Sequence, residues 1–144
     1  MKVSVISQYN VFLANEPGSL RKFSQMLHGQ GLDIVGLMAD MNLDADVIKL
    51  VIESLDKTEE TPPISRIITQ AGYISVKTDI LCVEEEGRDG LIFKVSKILE
   101  SAGINITGIY GSYIGASKHE RIFLNVDDLE KAIRLLGAAA GRAC

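Results

Sequence analysis

Apolar and β-branched residues crowd residues 3–14, VSVISQYNVFLA, and predict a strand bent near Gln8–Asn10. After Asn15 the period changes. Pro17 and Gly18 are turn residues, one presetting φ and the other accepting a positive value. Leu20, Phe23 and Leu27, with Met26 beside them, then recur at helical spacing and predict a helix over about 18–29. Gly31 stops it, and residues 32–40 return to strand character. A polar loop at 41–46 leads into VIKLVIE, residues 47–53, a third strand in hairpin relation to the second. The acidic, proline-bearing stretch 56–63 reads as a loop, with Pro63 opening a second helix. Ile64, Ile67, Ile68 and Ala71 form its apolar face, and Gly72 ends it.

Residues 73–86 are long for one strand, with Ile74, Val76, Ile80 and Cys82 on one side. A bend near Thr78–Asp79 lets the run close one unit and open the next. A helix over about 90–102 follows, with Leu91, Val95, Ile98, Leu99 and Ala102 inward, then strands at 104–113 and 121–126. Asp127 with Glu130 has the spacing of a capping box, and Leu129, Ala132, Ile133 and Leu136 make the core stripe of a last helix. The tail GAAAGRAC has no strand character.

The two halves repeat. A shift of 72 residues brings Val11 onto Val83, Gly18 onto Gly90, Leu27 onto Leu99, Gly31 onto Gly103 and Gly36 onto Gly108. The matches fall on turn glycines and core positions, which are what a shared fold needs. The expected class is α+β, two ferredoxin-like βαββαβ units packed together, 1–72 and 73–144. The second unit runs out of chain before its fourth strand, and the N-terminal segment Lys2–Ser7 is expected to fill that gap. Units of this size have marginal cores alone, which points to packing between them or to a homodimer.

Composition narrows the class. With 47% apolar and 24% charged residues the chain is globular, and a net charge of −4 without a basic stripe speaks against nucleic acid. No apolar run reaches membrane-spanning length and no signal-peptide core is present, so a cytoplasmic protein without a membrane partner is expected. Two cysteines, Cys82 and Cys144, make neither a disulfide framework nor a metal site; Cys82 reads as a small core residue and Cys144 as an exposed thiol.

Asn15-Glu16-Pro17-Gly18-Ser19-Leu20 with Gly31-Leu32-Asp33-Ile34, and Arg88-Asp89-Gly90-Leu91 with Gly103-Ile104-Asn105-Ile106, each resemble an ACT domain. Most of the chain resembles the small stand-alone tandem ACT proteins. The resemblance implies a non-enzymatic regulatory protein that binds an amino acid or similar small ligand where two modules meet, with no cofactor and no metal. The implied site is the loop before the first helix and the start of the second strand. In this chain those are Asn15, Glu16, Pro17, Gly18, Ser19, Leu20 and Asp33, and then Arg88, Asp89, Gly90, Leu91, Ile92 and Asn105. A second copy of the chain and a regulated enzyme are the implied partners. The copies differ: unit 1 has Asp33 where unit 2 has Asn105, and unit 2 has Asp89 in place of the proline.

Elementary chemistry agrees with that reading. A loop ending at Gly18 leaves the first helical N–H groups pointing outward at the positive end of a helix, a place for a carboxylate. Side-chain oxygens of Asn15, Asp33 or Asn105 suit an ammonium. Simpler roles apply elsewhere. Gly36 and Gly108 read as bulges or close helix contacts, His28 and His119 as surface residues, and Glu84-Glu85-Glu86 as a solvated strand end. Tyr110 and Tyr113 fit a pocket wall or plain strand surface. The alternative function is a small enzyme on a ferredoxin-like fold, for which Cys82 and Asp79 are the only buried-looking candidates. RNA binding lacks its stacking aromatics.

Overall fold

The computed structural model describes residues 1–39, 46–54, 63–87, 90–114, 116 and 118–142. The elements are β1 (Lys2–Leu13), α1 (Ser19–Gly29), β2 (Leu32–Ala39), β3 (Asp46–Ser54), α2 (Ile64–Gln70), β4 (Ser75–Glu86), α3 (Leu91–Ser101), β5 (Ile106–Ile114), β6 (His119–Val126) and α4 (Leu129–Arg142). Of the loops expected at 41–46 and 56–63, residues 41–45 and 56–62 lie outside the described residues, as does Cys144. The chain forms two compact units, Ser7–Thr78 on one side and Met1–Ile6 with Asp79–Cys144 on the other. β1 and β4 each contribute one part of their length to each unit.

In the 7–78 unit the strand order is β2-β3-β1-β4, with β3 antiparallel to both β1 and β2. Alternation along β1 sends Tyr9, Val11 and Leu13 into one core with Ile48, Leu50 and Ile52 of β3. Phe23 and Leu27 of α1 and Ile67 and Ile68 of α2 close the same core, and the Phe23 ring meets Tyr73 edge-on at 4.9 Å. Opposite the helices, Asn10 Nδ2 donates to the Val76 carbonyl (2.8 Å) and Gln8 Nε2 to Thr78 Oγ1 (3.4 Å). The Phe12 N–H donates to the Ile74 carbonyl at 3.0 Å, so the start of β4 runs antiparallel to β1.

The other unit has the same plan, ordered β1-β4-β6-β5. Leu81 and Val83 of β4, Ile122 and Leu124 of β6, and Leu91, Val95 and Leu99 of α3 form its core, with Ala132 and Leu136 of α4. Met1 and Val3 pack against this core. The N-terminal strand therefore completes the second ferredoxin-like unit, as its missing strand required. The repeat holds to the residue: α1 and α3 have bounds 72 positions apart. The register slips between Ile34 and Gly36 in β2, and again between Ile106 and Gly108 in β5, so both strand glycines mark bulges.

The last helix corrects one expectation. Asp128, not Asp127, accepts the hydrogen bond from the N–H three residues on (Lys131, 3.1 Å). The Asp127 carboxylate instead accepts from the Asn105 N–H at 3.0 Å. The helix also continues through the alanine-rich tail to Arg142, since alanine carries the best helix propensity.

Gly111 of β5 lies against the facing strand so closely that a Cβ there would overlap the Arg121 carbonyl oxygen and sit 2.9 Å from Ile122 Cα. Backbone cannot move aside as a side-chain tip can. Gly111→Ala is expected to destabilise the protein by about 1–3 kcal/mol in urea unfolding. An unchanged midpoint would show that β5 and β6 are further apart than described.

Candidate functional site

The loop before α1 is exposed from Asn15 to Gly18. The Ser19 N–H donates to the Glu16 carbonyl (3.3 Å), and the first helical bond runs from Lys22 N–H to the Gly18 carbonyl (3.0 Å). Gly18 itself is the N-cap, with φ 88°, and has no side chain to cap the helix. Beside it Leu20 is 37% exposed. The equivalent loop before α3 ends at Gly90, exposed, with φ 66°. Both glycines hold a backbone that a β-carbon strains by about 1–2 kcal/mol. Arg88 and Asp89 lie outside the described residues. The Gly87 N–H donates to the Lys118 carbonyl, tying this loop to the β5–β6 hairpin. Leu91 is fully buried in the core, so only its backbone is available to a ligand. Ile92 and Phe93 are 51% and 71% exposed.

Asp33 and Asn105 sit at the other end of their helices. Asp33 is exposed and directly opposite Glu53 across β2 and β3, which sets two carboxylates side by side. Asn105 is exposed, with its backbone held on both sides by Asp127, and it borders a cavity of about 370 Å³ with Ser96, Glu100 and Gly103. An 11-residue helix separates each glycine cap from its strand start. That is roughly 16 Å of helix rise. Within either unit the predicted residues thus form two patches, not one site.

Sequence reasoning missed a cluster of charge at the ends of β4 and β6. The run Glu84–Glu86 was expected to be a solvated strand end, yet the Glu84 and Glu85 side chains are only 15% exposed and ion-paired. Glu84 Oε1 accepts from Arg121 Nε at 2.7 Å and lies 3.4 Å from His119 Nε2; its other oxygen is 3.9 Å from Lys2 Nζ. Glu85 takes Lys94 Nζ at 3.2 Å. Burial alone would raise the Glu84 carboxyl, but the Arg121 hydrogen bond and charge, with His119 and Lys2, outweigh it and hold the group below its ordinary 4.5. The cations come from β1, β6 and α3, so no local signal links them; only the strand register does. Nearby, burial, with Cys82 beside it, pushes the Tyr110 hydroxyl up to about 12. Cys82 is buried, as a small core residue should be. Asp79 is exposed, which removes it as a buried acid. Among the described residues no group of His, Cys, Asp and Glu could hold a metal, and no helix is long and apolar enough to cross a membrane.

The sequence matches no protein-family profile. No curated protein is similar to it at a significant level. Solved structures are. Protein BT0572 from Bacteroides thetaiotaomicron superposes with a TM-score of 0.80 at 18% identity, over 96% of this chain and 90% of that one. The regulatory subunit of aspartate kinase from Thermus thermophilus, in its ligand-free form, gives 0.59 at 16% identity over 96% and 97%. A structure of aspartokinase alpha and beta subunits gives 0.59 at 15% over 98% of both. At these identities the likeness is one of fold, and the fold is ACT-like.

The lowered Glu84 carboxyl sets a pH dependence. Because its folded value lies below 4.5, its contribution to stability is present above that pH and is lost as pH falls below it toward the folded value. Urea midpoints at pH 7 and pH 3.5 are expected to differ less in Glu84→Gln than in the parent protein. Equal differences would mean that the cluster adds nothing.

Proposed function

We propose that this chain is a non-enzymatic regulatory protein that binds an amino acid or a similar small ligand. One observation carries the reading: both units present an exposed, left-handed glycine N-cap at the start of their first helix, at the same place in the repeat. Such a helix start suits a carboxylate, and the bare glycine lets it come close to the backbone. The strand-start patches, Asp33 with Glu53 and Asn105 beside its cavity, offer acceptors to an ammonium. Since these patches lie at opposite ends of a helix, a ligand that uses both joins the loop of one module to the strand start of another. A homodimer supplies that arrangement, and a ligand that bridges it favours one assembly over others. A regulated enzyme is the natural listener; the aspartate kinase regulatory subunits that share the fold support this direction.

Thermal unfolding of the purified protein with each of the twenty amino acids at millimolar concentration tests the reading. Ligand at a hundredfold over its Kd stabilises the protein by about 2.7 kcal/mol, a shift of several degrees. Gly18→Ala and Gly90→Ala, which point a methyl into the space a ligand would enter, are expected to diminish that shift when each is measured against its own ligand-free midpoint. A flat response to every amino acid would overturn the proposal.

A further inference from the structure

Corresponding rows of the two units carry opposite chemistry. In the 7–78 unit Phe12 faces Val47 across the strands and bonds through its N–H to Ile74; these three side chains are 43%, 37% and 70% exposed. Glu84 is the position 72 residues after Phe12, and in its own unit it faces Arg121 and pairs with Lys2. The fold does not require charge at this row, because the 7–78 unit holds hydrocarbon there. In the 79–144 unit Glu84 and Lys2 of this row line a cavity of about 810 Å³ together with Met1, Glu85, Glu86, Lys94 and His119. That volume is in the range of small-molecule sites.

Both signs of charge line the cavity: Lys2, Lys94, the Met1 ammonium and the adjoining Arg121 stand against Glu84, Glu85 and Glu86. A ligand of one sign meets the opposing set, whereas a dipolar one is matched at both ends. Lys2 is 77% exposed, with its pairing to Glu84 at a loose 3.9 Å, and Glu86 is exposed with no ion pair among the described residues. We propose that this cavity, in the 79–144 unit alone, takes a small zwitterion, with Glu86 serving its ammonium and Lys2 and Lys94 its carboxylate. The inference rests on the reading of the chain as a small-ligand binder and narrows it to one charge type and one unit. It also gives the unit whose loop lacks the proline a side-chain site beside that loop.

Isothermal titration of the full chain with the twenty L-amino acids tests it, with sodium acetate and ethylammonium chloride as single-charge probes. One equivalent per chain, apart from any held at the glycine loops, is expected to be weakened at least tenfold by Lys2→Gln or by Glu86→Gln. Lys22→Gln, at the position equivalent to Lys94 in the other unit, is expected to leave affinity unchanged, and neither single-charge probe is expected to displace the ligand. Unchanged affinity in Lys2→Gln and Glu86→Gln, or displacement by acetate alone, would overturn this site and leave the proposed function standing. No binding of any amino acid to the parent protein would overturn both.

Discussion

The core of the second unit depends on a strand that the local chain does not supply by itself. A βαββαβ unit buries its two helices against a four-stranded sheet, and the 79–144 stretch reaches its end with three strands. Without a fourth strand the β4 edge would leave its N–H and C=O groups unpaired and Leu81 and Val83 poorly covered. The first residues of β1 answer both needs, since Met1 and Val3 pack on that core while the rest of the same strand, from Ser7, belongs to the other unit. Hydrogen-bond satisfaction thus ties the first residues of the chain to its second half.

The repeat keeps what the fold needs and varies what it does not. Helix bounds, glycine caps and strand bulges recur at one offset because each is dictated by backbone geometry. Outward-facing rows carry no such constraint, and there the units part: Val47, Phe12 and Ile74 in one, Arg121, Glu84 and Lys2 in the other. Two modules of one architecture can therefore present different surfaces to the same solution.

Most of the fold was legible in the sequence because periodicity and glycine punctuation are local. Leu20, Phe23 and Leu27 announce α1, and Gly31 its end, without reference to any distant residue. The N-terminal strand was legible for a different reason, since counting strands exposes a vacancy. The cap of α4 was misplaced by one residue because Asp127 and Asp128 stand side by side; only geometry shows that Asp127 is engaged by Asn105.

The glycine loops of the candidate site could be read from residue type alone, as positive φ and an uncapped helix start follow from the absence of a β-carbon. The sequence by itself thus determined the twofold plan, the element order and the place of both loops. The tertiary structure decided which charges meet. Lys2, Glu84 and Arg121 are separated by most of the chain and are brought together by antiparallel pairing of β1 and β6 on either side of β4. That meeting is a matter of strand register, which spacing along a chain does not record.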